Sequence, residues 1–259
     1  MPIANLSDVK LYYEWSGEEH LPILVFSNGL GTNVHMWDSQ VESFSQHFRL
    51  LRFDARGHGQ SSVTPGPYTV EQLSGDIVHL LDALKIERAY FCGVSMGGLI
   101  GMFLGTNHAK RFHKITLCST AAKIGTSDTW TTRIQTVQRG GMKAVADTVV
   151  DRWFTAGFRA KNSAELQRVR AMLEATNPDG YMASCAAVRD SDQRDTIGNI
   201  QLPCLIIVGS EDPGTPPTEA HFLQKTISGA QLVELQGSHL CNIENKDEFN
   251  EHVLQFLLV

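Results

Sequence analysis

The fold of this chain is decided by residues 93–97, which read Gly93-Val94-Ser95-Met96-Gly97. The apolar run 89–92 precedes them with the composition of a buried strand, and a helical pattern follows from Gly98. A serine between a strand and a helix sits on a sharp turn, and flanking glycines keep Cβ atoms out of the crowded bend. The helix that follows directs the positive end of its dipole at the hydroxyl. The pattern predicts Ser95 as a nucleophile.

Outward from this turn, short apolar runs alternate with longer amphipathic segments. Alternation of this kind predicts an α/β fold, in which a mostly parallel sheet is flanked by helices. Residues 11–15, near the start, have an alternating pattern that predicts an antiparallel edge strand. The predicted parallel strands cover residues 23–26, 48–53, 89–92, 115–118, 205–208 and 231–235. The clearest predicted helices cover residues 70–84, 97–107 and 248–258.

The stretch from residue 123 to residue 195 differs, because it contains no convincing strand and is rich in helix formers. It carries Trp130, Trp153 and Tyr181 among polar residues. Ligands of open α/β sheets bind at the carboxyl edge of the strands. We therefore predict that residues 123–195 form a helical cap at that edge, over a core made of residues 1–122 and 196–259. Ordinary surface helices are the alternative interpretation.

The composition indicates a globular protein, since 42% of the 259 residues are hydrophobic and 19% are charged. The formal net charge is -6, and the basic residues are scattered, so nothing favours a nucleic-acid partner. No apolar stretch approaches the ~20 residues of a membrane helix, and the first residues lack the pattern of a signal peptide. We expect no membrane partner and a cytoplasmic location; the composition leaves the oligomeric state open.

Five cysteines, at positions 92, 118, 185, 204 and 241, have no metal-binding spacing. Because most of them lie in apolar stretches, we predict reduced, buried thiols rather than disulfides or a redox site. Neither a zinc-protease motif nor a dinucleotide-binding glycine pattern is present. The sequence therefore predicts neither a catalytic metal nor a cofactor.

Two further residues complete a catalytic triad with Ser95. Hydrolases with this serine turn carry the triad in the order serine, acid, histidine. Asp212 follows the predicted strand 205–208, at the end where a histidine-orienting acid is needed, and we choose it over its neighbour Glu211. His239 follows the last predicted strand. His58 is its main rival, but it precedes the serine in the chain and so breaks the order. The histidine would take the serine proton, and the carboxylate would fix its tautomer.

Backbone N–H groups are the expected donors to the developing oxyanion. The glycine-rich turn after strand 23–26 reads Asn28-Gly29-Leu30-Gly31. We predict the N–H of Leu30 as one donor and that of Met96, directly after the nucleophile, as the other. Residues 54–61, with their charged pair and glycines, are interpreted as a structural loop beside this turn.

Several segments of the chain resemble 3-oxoadipate enol-lactonases, which have the α/β-hydrolase fold. The shared segments are N-G-L-G-T-x-x-x-M-W at 28–37, D-A-R-G-H-G-Q-S at 54–61, G-P-Y-T at 66–69, F-C-G-V-S-M-G-G at 91–98, and the closing G-S-H with N-I-E. Many α/β-hydrolases share the serine turn and the 54–61 segment. More particular to the enol-lactonases are Trp130-Thr131-Thr132-Arg133 and Arg152-Trp153-Phe154-Thr155 in the predicted cap.

The resemblance implies hydrolysis of a five-membered enol-lactone that bears a carboxymethyl group, giving 3-oxoadipate. Such a substrate keeps a free carboxylate, which needs a cation in a largely apolar pocket. Arg133 is the candidate, because its planar guanidinium can bind a carboxylate through two hydrogen bonds. Trp130 and Trp153 would supply apolar walls, with core packing as an equal alternative.

Two other functions remain open from the sequence. A general carboxylesterase, or a hydrolase that cleaves carbon–carbon bonds, would use the same triad on another substrate. A ligand receptor on a hydrolase scaffold would turn over slowly and belong to another class of protein. Rapid multiple-turnover hydrolysis of an enol-lactone excludes the receptor.

Overall fold

The structure is a computed structural model that describes residues 2–161 and 163–259. Its sheet has eight strands: β1 (Ile3–Asn5), β2 (Lys10–Ser16), β3 (Ile23–Ser27), β4 (Arg49–Phe53), β5 (Ala89–Val94), β6 (Phe112–Cys118), β7 (Cys204–Gly209) and β8 (Gln231–Leu235). They lie in the order β1-β2-β4-β3-β5-β6-β7-β8. All neighbouring strands from β3 to β8 pair in parallel. Strand β2 pairs antiparallel with both β1 and β4.

This sheet confirms the predicted fold class, with two differences at the start of the chain. Strand β1 was not predicted from the sequence, because three residues are too few to show the alternation of apolar and polar residues that is typical of a strand. It pairs with β2 on the outside, from Ile3 opposite Tyr12 to Asn5 opposite Lys10. The prediction that residues 11–15 form an edge strand was therefore wrong in position, although right in direction.

Helices flank the sheet. Those of the predicted core are α1 (Asp38–Phe44), α2 (Val70–Ala83), α3 (Met96–Asn107), α9 (Pro217–Thr226), α10 (Cys241–Glu244) and α11 (Lys246–Leu258), and the intervening segment holds α4 (Ser127–Gly140), α5 (Lys143–Trp153), α6 (Ala156–Lys161), α7 (Ser163–Ala175) and α8 (Pro178–Asp190). Helix α2 begins after Thr69, whose hydroxyl accepts the N–H of Gln72. Helix α1 packs with α11, and α2 packs with α3.

The segment predicted as the cap contains helices α4 to α8 and, in its described residues, no strand. All five helices lie between β6 and β7, as an insertion between two neighbouring parallel strands. Helix α4 begins with a capping box, in which Thr126 and Thr129 exchange side-chain and backbone hydrogen bonds. The division into a cap of residues 123–195 and a core of residues 1–122 and 196–259 remains our proposal.

The central strands are apolar because both of their faces are covered. Every residue of β7 is buried, and β5 is buried except at Tyr90. Burial on both faces is why these strands read as continuous apolar runs instead of alternating ones. The edge strand β8 is only partly buried and mixes Gln231 and Glu234 with apolar residues.

Close backbone packing under helix α3 depends on the two glycines of the serine turn. A Cβ atom at Gly93 would lie 2.3 Å from the carbonyl oxygen of Gly97. A Cβ atom at Gly97 would lie 2.2 Å from the carbonyl oxygen of Ser27, on strand β3. Both distances are far inside van der Waals contact, and backbone atoms cannot rotate away. The glycines therefore let the helix start directly above the sheet.

All five cysteines are free and buried, which confirms that prediction. The sulfur atoms of Cys92 and Cys118, on neighbouring strands, lie 3.9 Å apart. Burial raises the pKa of the Cys204 thiol and likewise that of Cys241, so these groups stay protonated. No helix in the described part of the chain is long and apolar enough to cross a bilayer.

We predict that Gly97→Ala lowers the free energy of unfolding by about 1–3 kcal/mol or more, because the added methyl group overlaps the carbonyl of Ser27. Gly75→Ala is the matched control in helix α2, where an added Cβ meets no atom within 4 Å. Its expected effect is a gain of about 1 kcal/mol from helix propensity. Urea unfolding of both variants measures the difference; equal stabilities would contradict this account of the serine turn.

Candidate active site

Ser95 occupies a strained backbone conformation at the junction of β5 and α3. Its φ of 57° and ψ of -111° lie in a region that residues with a side chain rarely adopt. The surrounding structure holds it there: the Ser95 N–H donates to the carbonyl of Cys118 at 2.8 Å, and the Ser95 carbonyl accepts from the hydroxyl of Thr120 at 2.9 Å. The sharp turn predicted from the sequence is therefore present, with the serine at its apex.

Asp212 and His239 form a hydrogen-bonded pair, although 27 residues separate them in the chain. The imidazole Nδ1 lies 2.7 Å from the carboxylate Oδ2, and the Asp212 side chain is fully buried. The carboxylate also accepts the N–H groups of Gly214 and Thr215 and the hydroxyl of Thr215. With Nδ1–H donating to Asp212, the opposite nitrogen, Nε2, is the one that can take a proton.

The environment keeps Asp212 ionised. Burial by itself would raise the pKa of this carboxyl, but the charge of the facing imidazole and the hydrogen bonds from His239 and Thr215 outweigh it. The net result is a pKa below the usual value of an aspartate. An ionised, buried carboxylate is what stabilises an imidazolium that forms during proton transfer.

Ser95 and His239 line the same cavity. Within residues 2–161 and 163–259 the Ser95 hydroxyl makes no hydrogen bond, so it is not committed to another partner. In unliganded enzymes the bond between nucleophile and base is often long and shortens when substrate binds. The arrangement thus brings the three predicted triad residues to one site with the acid–base bond already formed.

The two predicted oxyanion donors belong to segments that adjoin Ser95. A Cβ atom at Gly29 would be 3.7 Å from Cβ of Ser95, so the turn that carries Leu30 passes directly beside the serine. Neither the N–H of Leu30 nor that of Met96 has a hydrogen-bond acceptor in the described structure. Two uncommitted backbone donors at this position suit the negative oxygen of a tetrahedral intermediate.

His58, the rival histidine, lies beneath this turn and away from the cavity. Its Nε2 accepts the N–H of Gly31 at 3.0 Å, and its Nδ1 lies 3.2 Å from the carbonyl oxygen of Arg56. Burial lowers the pKa of His58 to about 4, so the ring stays neutral near pH 7. With one nitrogen accepting and the other donating, the side chain anchors the oxyanion turn and has no capacity left for substrate.

The remaining side chains of the 54–61 loop are also committed to structure. Arg56 is buried and forms ion pairs with Asp76, on helix α2, and with Asp8. Asp54 accepts the N–H groups of Val34 and Gln60, and burial raises its pKa to about 6. These contacts agree with the structural interpretation of this loop.

Asn28 has a structural place as well. Its amide donates to the carbonyl of Phe53 at 2.8 Å, and its oxygen accepts the indole N–H of Trp37 at 2.8 Å. The Trp37 ring in turn stacks on Phe26. The side chain therefore fixes the start of the oxyanion turn.

The cavity above Ser95 has a volume of about 100 Å³. All three residues predicted to contact substrate line it, and the full lining is Leu30, Ser95, Ile124, Gly125, Thr129, Trp130, Arg133, Val149, Arg152, Trp153, Tyr181, Gly214 and His239. Helices α4 and α5 supply most of the wall opposite the triad. The cap segment and the core thus enclose the cavity between them.

Arg133 is held within this wall by aromatic groups. Its guanidinium carbon lies 4.8 Å from the centre of the Trp130 ring, within the range of a cation–π contact. The indole N–H of Trp130 donates to the carbonyl of Ile124 at 2.6 Å, which fixes the ring. Tyr181 is buried beside Arg133, and burial raises the pKa of its hydroxyl. No carboxylate in the described residues forms an ion pair with Arg133.

The sequence analysis missed several residues of the cavity wall, chiefly Arg152, Thr129, Val149 and Gly214. Two of these are recoverable from helical spacing. Val149 and Arg152 are three residues apart on helix α5 and share a face with Trp153. Gly214 has no such signal, because its position depends on the turn that binds the Asp212 carboxylate.

The end of helix α5 is hydrogen-bonded to the loop that carries His239. The Leu240 N–H donates to the carbonyl of Trp153 at 3.0 Å, and the Ser238 hydroxyl donates to the carbonyl of Arg152 at 2.8 Å. Glu244 links the two segments again, since its carboxylate accepts the N–H of Ser238 at 3.0 Å and both the N–H and the hydroxyl of Thr155. The cavity wall formed by the end of helix α5 is therefore held in place relative to His239.

No cluster of three or more metal-ligating side chains occurs among the residues that the structure describes. The site consists of a hydroxyl, an acid–base pair, two backbone N–H donors and a cavity lined by two arginine side chains. These are the parts of a covalent acyl-transfer site.

Comparison with known proteins agrees with this geometry. A family profile described as the alpha/beta hydrolase fold matches residues 22–246. 3-Oxoadipate enol-lactonase 2 of Acinetobacter baylyi is 39% identical over 246 residues, which cover 95% of this chain and 92% of that protein. 3-Oxoadipate enol-lactonase 1 of the same organism is 40% identical over 247 residues, with the same coverage. This chain belongs to the 3-oxoadipate enol-lactonase family of α/β-hydrolases.

The enol-lactonase family also supplies a close structural match. The crystal structure of the enol-lactonase from Burkholderia xenovorans LB400 superimposes with a TM-score of 0.98 at 43% identity, over 100% of both chains. The resemblance drawn from the sequence is thereby confirmed. The roles of the individual residues in this member of the enol-lactonase family remain predictions from its own geometry.

We predict that Asp212→Asn lowers kcat by about 10³–10⁴-fold, because the amide cannot hold the histidine tautomer or stabilise the imidazolium. Glu211→Gln is the control from the neighbouring position. Its exposed carboxylate accepts only from Gln236 in the described structure and does not line the cavity, so kcat should stay near the wild-type value. Steady-state kinetics of both variants decide the matter; the reverse ranking would reassign the acid.

Proposed function

We propose that this protein hydrolyses 3-oxoadipate enol-lactone to 3-oxoadipate through a covalent intermediate on Ser95. The observation that carries the proposal is the buried Asp212–His239 pair, whose histidine lines, together with Ser95, a cavity that also contains two arginines and two tryptophans. The membership of the chain in the enol-lactonase family supplies the substrate. The reaction needs neither a metal nor an organic cofactor, since the side chains provide every proton transfer.

In the first step the Ser95 oxygen attacks the lactone carbonyl carbon while Nε2 of His239 takes the hydroxyl proton. Asp212 stabilises the imidazolium, and the carbonyl oxygen becomes negative. The N–H groups of Leu30 and Met96 receive that charge. Removing one such donor costs ~3 kcal/mol of transition-state stabilisation in related systems, so the pair contributes a large part of the rate.

Collapse of the intermediate breaks the bond between the carbonyl carbon and the ring oxygen. The ring oxygen leaves as an enolate, a better leaving group than an alkoxide, and His239 returns a proton to it. The resulting enol stays tethered to the acyl group and becomes the ketone by tautomerisation. Water, activated by His239, then attacks the ester on Ser95 and releases a carboxylate, which regenerates the hydroxyl.

Arg133 is proposed to hold the carboxylate that the lactone carries from the start. Its guanidinium lies against the Trp130 ring, where cation–π attraction fixes it without neutralising its charge. A planar guanidinium can bind a carboxylate through two parallel hydrogen bonds. Trp130 and Trp153 are proposed to cover the lactone ring. We also propose that the protein acts in the cytoplasm, consistent with five free thiols.

We predict that the purified protein hydrolyses 3-oxoadipate enol-lactone rapidly and over many turnovers. The decrease in the absorbance of the lactone measures this reaction. Ser95→Ala should lower kcat by several orders of magnitude while the circular dichroism spectrum stays unchanged, because the nucleophile is lost but the turn is preserved. A neutral aryl ester serves as the comparison substrate. Efficient cleavage of the aryl ester with none of the lactone would replace the proposed function by a general carboxylesterase.

We predict that Arg133→Gln raises KM for the enol-lactone by about 10–100-fold, the loss expected for a charge-assisted hydrogen bond of roughly 1.5–3 kcal/mol. On a neutral ester, kcat/KM should fall much less, because no carboxylate is bound. Kinetics on both substrates test this. An equal loss on the two would show that Arg133 shapes the cavity and does not bind the anion.

A further inference from the structure

We infer that Arg152 is a second anion-recognition residue, placed at the rim of the cavity, and that it selects carboxylate-bearing substrates by speeding their association. The inference rests on the proposed function, in that the carboxylate of the lactone is the anion in question. Arg133 then holds the anion inside the cavity, and Arg152 attracts it from solution. Two cations for one substrate carboxylate thus have separate tasks.

Arg152 differs from most arginines of the cap segment in having no acidic partner. Neighbouring arginines of this segment form ion pairs: Arg159 with Asp151, Arg168 with Glu165, Arg170 with Asp147 and Glu174, and Arg189 with Asp190. Among the described residues neither Arg152 nor Arg133 has such a pair, and both line the cavity. Both arginines that line the cavity therefore keep a positive charge that no acidic side chain of the described residues neutralises.

The position of Arg152 is fixed relative to the catalytic base. Arg152 is exposed and lies in the last turn of helix α5. Its carbonyl accepts the hydroxyl of Ser238, and the next carbonyl, that of Trp153, accepts the N–H of Leu240. The helix end therefore cannot shift independently of His239. An exposed charge on a fixed backbone at the cavity rim acts on a ligand before it enters.

Charge balance explains why a rim cation is useful here. The chain carries a formal net charge of -6, so an anionic substrate is repelled by the protein as a whole. Attraction by an exposed cation extends over about 8 Å at physiological ionic strength. Local charge at a cavity mouth raises association rates by about 10-fold or more and is weakened by salt. A residue with this role changes kcat/KM and its salt dependence, whereas kcat is set inside the cavity.

The test compares Arg152→Gln with Arg139→Gln. Arg139, in the last turn of helix α4, is also exposed and has no ion pair in the described structure, but it does not line the cavity. Both variants lose one positive charge from the same segment. We predict that Arg152→Gln lowers kcat/KM for the enol-lactone about 10-fold at low ionic strength and flattens its decline with added salt. Arg139→Gln should retain the wild-type salt profile.

A pair of aryl esters separates this inference from the proposed function. The hemisuccinate and the butyrate of one phenol share a leaving group and differ chiefly in the free carboxylate. We expect Arg152→Gln to reduce the ratio of kcat/KM between hemisuccinate and butyrate by about 10-fold. If the lactone is not hydrolysed but this ratio falls, the proposed function fails and the inference stands. An unchanged ratio and an unchanged salt profile would overturn the inference, and so would equal losses on both esters.

Discussion

The hydrogen bond between Asp212 and His239 is the interaction on which the rest of the site depends. It joins the loop after β7 to the loop after β8, and it requires a carboxylate with no exposure to solvent. Such a carboxylate is costly to bury unless its charge is paired and its oxygens are hydrogen-bonded. Thr215 and Gly214 supply those bonds. The short turn after Asp212 is therefore part of the proposed catalytic site, because it stabilises the carboxylate that orients His239.

The serine turn imposes a second constraint, on the backbone. Ser95 lies in a strained conformation, and the strain is tolerated because hydrogen bonds from β6 and its following turn hold both sides of the residue. The glycines at 93 and 97 allow α3 to begin within contact of β3, which carries the oxyanion turn. His58 supports that turn from below through Gly31. Ser95, the turn of Leu30 and His239 thus each follow a different strand of one sheet.

Much of this arrangement was predictable from the sequence, because buried strands and the serine turn have recognisable local sequence patterns. The buried parallel strands, the glycine-flanked serine and the order Ser95, Asp212, His239 follow from apolar runs and motif order. The resemblance to the enol-lactonases also indicated Trp130, Arg133 and Trp153 as substrate contacts, and all three line the cavity.

Other features depend on long-range contacts and were beyond reach of the sequence. Strand β1 is defined only by its pairing with β2. Helical spacing puts Arg152 on the same face as Trp153, but that it has no acidic partner could be seen only once the surrounding acids were located. His58 could be excluded as a base by chain order, but its bond to Gly31 required coordinates.

The bonds from Glu244 to Thr155 and Ser238 have a consequence for remodelling such enzymes. Exchanging the inserted helices between relatives is an obvious route to new substrates, because those helices shape the pocket while the sheet carries the chemistry. Here hydrogen bonds from Glu244 link the inserted helices to the loop that carries His239, so the two parts are not independent. A transplanted insertion would have to bring, or find, matching partners near the C-terminus of its host, or the imidazole would lose its alignment along with the old specificity.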